Sequence, residues 1–246
     1  MTERLQPVGV HHLAFMAADM KKHIEFFTQV VGFPLTAIFD MHGVPGATHC
    51  FMKMSDHEYF SIVLLPDVDK IPVEIGVTHA GYGEGPSAKG TLQHMAFRVH
   101  SEEALLGMRD RIRSHGINVI GPVDHGFCKS IYFAGPDDTA LEVAWGREAI
   151  DPKVWIDPQS LERIGIDPAD MDRYVNPPAT YTGPSPVPQP DYDPDKPHLH
   201  FPDPLYRKLL AKSDESIGRS GDWALPPAEA RAAFEAKAAA KAAAGA

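Results

Sequence analysis

The chain has 246 residues, 43% of them hydrophobic, which is enough for a buried core in one large or two small domains. A net charge of −10 with no basic patch excludes nucleic acid and anionic membrane surfaces as partners. The opening MTERLQPVGV lacks the apolar core of a signal peptide, and no apolar run is long enough to span a bilayer. A cytoplasmic protein with Cys50 and Cys128 as reduced thiols is therefore expected.

In chain order, a hydrophobic strand begins at His12, and seven residues later Asp19 is a helix N-cap candidate. Apolar residues at helical spacing (Met20, Ile24, Phe27, Val31) run to Gly32, which suits a left-handed helix end. Strands follow near 35–40, 48–54 and 59–65. The connector 66–93 is longer than a crossover needs, and its glycines at 81, 83, 85 and 90 neither follow a strand nor open a helix, which discounts a phosphate loop. It is either a plain connector or a lid that carries His79 and Tyr82 over a cleft.

The pattern then repeats. His94 opens a strand, Ser101 is the cap candidate, Leu105, Met108 and Ile112 keep helical spacing, and Gly116 ends the helix. Strands follow near 117–123, 129–134 and 139–145, the last two forming a hairpin about Gly135, Pro136, Asp137 and Asp138. Two βαβββ modules, about 7–66 and 90–147 and offset by about 82 residues, imply an internal duplication within one domain over 7–147. The expected fold is α+β, with both modules packed into one curved, barrel-like sheet around a cleft.

Residues 148–246 read as an extension that does not fold alone. Proline and aspartate are dense over 151–204, which suggests an extended arm. Its aromatics, Trp155, Tyr174 and Tyr192 among them, suggest that it lies on the core or on another subunit. His198 and His200 in HLHF have metal-compatible spacing but read as surface residues. Short helices are expected near 204–212 and 226–246.

His12 and His94 hold equivalent places in the two modules, and Glu142, on the last strand, is flanked by Leu141 and Val143. The neighbouring His11 competes with His12, but the seven-residue distance to Asp19, matched from His94 to Ser101, selects His12. Two imidazoles and a carboxylate on one cleft make a facial triad for a divalent metal.

The phrases HLAFMAADMKKHIEFFTQVVGF and IYFAGPDDTALEVAW resemble the opening and closing motifs of the vicinal oxygen chelate superfamily, which includes glyoxalase I, methylmalonyl-CoA epimerase, resistance proteins and type I extradiol dioxygenases. The run from His125 through Ile131, Tyr132 and Pro136 to Glu142 resembles the extradiol signature, with departures at Gly135 and Asp138. That resemblance implies Fe(II), or else Mn(II) or Zn(II), on His12, His94 and Glu142. It implies His57 as acid/base, with His49 and His79 as other candidates, and His125 and Tyr132 as donors to substrate. The implied reaction is ring cleavage of a small catecholic aromatic by dioxygen in a homo-oligomer. Two alternatives stand beside it: a glyoxalase- or epimerase-like isomerase or lyase, which needs a fourth acid where Ser61 stands, and a metal-free binding protein of the resistance type.

Overall fold

A computed structural model describes residues 6–41, 44–178, 183, 185–218 and 225–244. Strand β1 (His12–Met16) leads into helix α1 (Met20–Glu25), where the Asp19 carboxylate accepts from the Lys22 N–H at 3.0 Å. The helix then widens into a π-helical stretch, Phe26–Val31, a departure from the plain helix expected; the wider turn places Phe27, Val30 and Val31 together in the core. Gly32, at φ 97°, ends it as anticipated. Strands β2 (Leu35–Asp40), β3 (Thr48–Lys53) and β4 (Tyr59–Leu64) complete module one.

Module two repeats this plan with β5 (Met95–Arg98), α2 (Glu102–Ser114), β6 (Ile120–Asp124), β7 (Lys129–Ala134) and β8 (Ala140–Trp145). Ser101 caps α2 by accepting from the Ala104 N–H at 3.1 Å. The sheet orders are β1-β4-β3-β2 and β5-β8-β7-β6, each with one parallel pair. The registers match as well: Ala14 faces Ser61 as Ala96 faces Glu142, and both second strands carry an irregularity. The duplication inferred from spacing is thus present in the ladders.

The expected barrel-like closure is corrected. The two sheets are separate, because each ladder ends at β1 or β5 on one side and at β2 or β6 on the other. Side chains join them instead. Phe27 packs on Phe60 at 4.1 Å between ring centroids and meets Phe97 of module two at 6.5 Å, in a core that also holds Leu105, Ile112, Ile131, Leu141 and Val143. Burying that apolar surface replaces the backbone bonds that a closed barrel would have made.

Among the described residues, those up to 178 form one compact unit, and those from 183 onward belong to a second. The first therefore includes part of the extension, which is partly helical as expected, with further short helices within the proline-rich stretch. Helices α3 (Pro152–Trp155), α4 (Pro158–Arg163) and α5 (Met171–Val175) are short, and Asp-Pro pairs open the first two, with Asp151 and Asp157 capping a proline at the first helical position. Trp155 lies over Gly126, where a Cβ would come within 2.6 Å of its ring, and meets Phe127 at 5.0 Å. This part of the arm lies against the loop between β6 and β7. The second unit holds α6 (Asp203–Leu210), α7 (Asp214–Gly218) and α8 (Pro227–Ala244), with Tyr192, His198 and Tyr206 clustered; positions 245 and 246 lie outside the described residues. No described helix is long and apolar enough to cross a membrane.

Candidate functional site

Strand alternation sends Leu141 and Val143 to the helix-covered core and Glu142 to the opposite face, together with Ala96 and Tyr132. Glu142 is only 6% exposed. Its Oε2 lies 2.9 Å from Nε2 of His94, the residue just before β5, whose side chain is one-third exposed. A carboxylate removed from water needs a polar partner, and the His94 ring nitrogen is that partner.

The other ring nitrogen of His94 is already committed: Nδ1 meets the Gln93 Oε1 oxygen. Nδ1 therefore carries a proton, and Nε2 either shares a proton with Glu142 or offers its lone pair to a cation. Beside the pair, the Tyr132 hydroxyl lies 2.8 Å from His125 Nε2. Burial first, and the negative charge of Glu142 second, push the Tyr132 pKa up, so the phenol stays a proton donor.

The structure therefore brings together His94, Glu142, Tyr132 and His125, and leaves two expected members apart. His12 is exposed on the face of β1 away from the core, its Nδ1 2.9 Å from Nδ1 of His11. It is Phe15, three residues further along β1, that shares a small space with His94, Ala80 and Ala140. His57 is exposed in the β3–β4 turn, close to Asp56. Among the described residues no three His, Cys, Asp or Glu side chains gather closely enough to hold a metal; this applies to His198 and His200 too.

In module one, the position equivalent to Glu142 is Ser61, fully buried, with its hydroxyl 2.5 Å from His49 Nε2. Burial first, and His12 second, lower the His49 pKa. Glu58, a possible extra acid, is engaged by the Ser55 hydroxyl at 3.0 Å, and Glu74 is exposed in the connector. Sequence reasoning did not pick out Gln93, since a glutamine beside a histidine carries no spacing signal.

A hollow of ≈ 480 Å³ lies away from this site, beside Trp145, Trp155 and Phe127. Its lining mixes Lys129 and Arg147 with Asp124, Glu148 and Asp151, so the convergent chemistry sits at His94 and Glu142 instead.

Solved structures similar to this chain include the following three. A glyoxylase/bleomycin resistance protein/dioxygenase domain from Frankia sp. EAN1pec is 15% identical over 58% of this chain and 100% of its own, with TM-score 0.46. TnmS3, an antibiotic binding protein from Streptomyces sp. CB03234, is 21% identical over 58% and 98%, with TM-score 0.40. The fosfomycin resistance protein FosX from Listeria monocytogenes is 19% identical over 57% and 95%, with TM-score 0.39. No curated protein matches the chain. The family model for the Glyoxalase/Bleomycin resistance protein/Dioxygenase superfamily matches residues 9–143, just over half of the chain and both modules, and the chain belongs to that superfamily.

Proposed function

We propose that the chain is a metal-dependent dioxygenase of the extradiol type that cleaves a small catecholic aromatic with dioxygen, using Fe(II), or else Mn(II), whereas Zn(II), which has no redox chemistry, would go with the isomerase reading. The observation that carries this is the buried Glu142 carboxylate, 2.9 Å from an imidazole nitrogen whose ring is held from its other side. That spacing suits a divalent cation: two adjacent ligands each about 2.1 Å from an octahedral ion stand about 3 Å apart. The donors, imidazole and carboxylate, are those of the facial triad.

His94 and Glu142 are two of the ligands. His12 is the third, and it comes from a second copy of the chain. Within one chain it lies three strand residues, about 10 Å, beyond the residue that reaches His94, and it faces the other side of β1. The buried Ser61 supplies no fourth carboxylate, which favours the dioxygenase reading over glyoxalase or epimerase chemistry.

When bound, the ion offers open positions to two adjacent substrate oxygens and to dioxygen. Tyr132 donates its hydroxyl proton toward a substrate oxygen beside Glu142. His125, 2.8 Å from that hydroxyl, accepts and returns a proton through it. These two residues take the acid/base role that the resemblance gives to His57.

The test is anaerobic loading with Fe(II), followed by oxygen uptake and a ring-fission chromophore across a catechol panel, with His94→Ala as the control. Turnover in the parent and none in His94→Ala is expected. Activity with zinc but not iron would replace the proposal with the isomerase reading. A second reading, a metal-free ligand-binding protein, is favoured by the lack of a three-donor group among the described residues, and failure to retain any metal would select it.

A further inference from the structure

Gln93 stands between the connector and the imidazole of His94. Its amide nitrogen lies 3.2, 2.8 and 3.0 Å from the carbonyl oxygens of Tyr82, Gly83 and Gly85. Three acceptors around one end of an amide identify that end as the NH2 group, so the other end, facing His94 Nδ1, is the oxygen. The loop thus sets the direction of the amide, and the amide sets which nitrogen of His94 bears the fixed proton.

The connector itself is folded. The Gly76 N–H donates to the His79 carbonyl at 2.7 Å, the Ala88 N–H to the Val77 carbonyl at 2.8 Å, and Ala80 is 1% exposed. Gly85 is buried so tightly that a Cβ would lie 2.2 Å from the Ala80 carbonyl oxygen. Gly83 rests on the ring of Tyr132, where a Cβ would lie 3.3 Å from Cε1. Loop 82–85 is therefore a wall of the space beside Tyr132 as well as the anchor of Gln93.

We propose that Gln93 is a positioning residue that couples the seating of loop 82–85 to the presentation of His94 Nε2 toward a metal, a step that rests on the metal-site reading above. With the loop seated, the amide cannot turn without placing its oxygen against three carbonyls, and the Nδ1 proton keeps its acceptor. With the loop displaced, the amide rotates freely and the imidazole loses the partner that orients it. Loss of such an outer partner typically weakens metal binding 10–100-fold.

The test uses the full chain with ¹⁵N-labelled histidine, Zn(II) titration as the metal probe, and three variants. In the metal-free parent, the His94 Nδ1 proton should be present and protected from exchange with water. Gln93→Leu should lose that protection and bind Zn(II) about 10–100-fold more weakly. Gln93→Glu keeps an acceptor for Nδ1 but not the donors to the loop, so it should retain the proton while amide exchange over 82–85 rises. Gly85→Ala leaves Gln93 intact and unseats the loop, and should weaken Zn(II) binding in the same direction as Gln93→Leu. An unprotonated Nδ1 in the parent, or parental Zn(II) binding in both Gln93→Leu and Gly85→Ala, overturns the coupling. If the parent takes up no metal, yet its protected proton is lost in both of those variants, the metal reading fails and the coupling of loop to imidazole stands.

Discussion

Glu142 and Ser61 occupy the same place in the two modules and have opposite chemistry. One is a buried carboxylate with an imidazole beside it, the other a buried hydroxyl with an imidazole beside it. Burying the Glu142 carboxylate costs desolvation free energy, and glutamine keeps the shape and a polar group for His94 without that buried charge. Glu142→Gln should therefore leave the melting temperature unchanged or raise it while abolishing metal retention, measured by thermal melts and by metal content after gel filtration. A clear fall in melting temperature would make Glu142 a structural residue instead. His49 gives a pH signature. Burial first, and His12 second, hold its pKa below the ordinary value, so the folded state binds fewer protons than the unfolded one. Its contribution is intact above the unfolded value of about 6.5 and is lost as the pH falls through the lower folded value. Melting temperature should drop on going from pH 8 to pH 5, and His49→Gln should flatten that slope.

At the level of elements, the β7–β8 turn is a polar link between modules beside their shared apolar core. Asp137, held at φ 53°, takes the Ala18 N–H at 3.4 Å, lies 3.5 Å from Nε2 of the buried His23, and faces Lys22 at 3.9 Å. His23 Nδ1 meets the Asp19 carbonyl at 2.9 Å, so the ring bridges the start of α1 and the turn that leads into Glu142. Asparagine tolerates the left-handed backbone, so Asp137→Asn isolates the charge. It should cost about 1 kcal/mol, a fall of about 2–4 °C in melting temperature, while Asp138→Asn at the neighbouring exposed position should cost little. Equal effects at the two positions would remove the link. Such contacts explain what was readable beforehand. Caps at Asp19 and Ser101, glycines at helix ends and period-two strands are local signals, and they placed both modules and put Glu142 on the correct strand. Period two says which face a residue takes, but not which strand edges pair, so the barrel-like closure was not readable and was wrong. The paired Asp-Pro starts at 151 and 157 were legible as helix openings, but the density of proline around them masked that signal.

At the level of the whole molecule, two sheets share a core without sharing a ladder, and this packing decides where His12 lies. One chain gathers His94, Glu142, Tyr132 and His125, whereas His12 is exposed with Ala14 and Met16 on the outer face of β1. A homodimer that lays this face of one copy over the His94 and Glu142 face of the other would complete two equivalent sites, as a twofold interface requires. The consequence can be measured without a dimer structure. His12→Ala and Glu142→Ala should each be inactive alone. Co-expressed, they form mixed dimers in which one site combines an intact Glu142 with an intact His12 and the other combines both defects. Random assembly makes half the dimers mixed, with one working site of two, so about one quarter of parental activity should return. Were His12 to act on the Glu142 of its own chain, every site in every dimer would lack one ligand, and the mixture would stay as inactive as its parts.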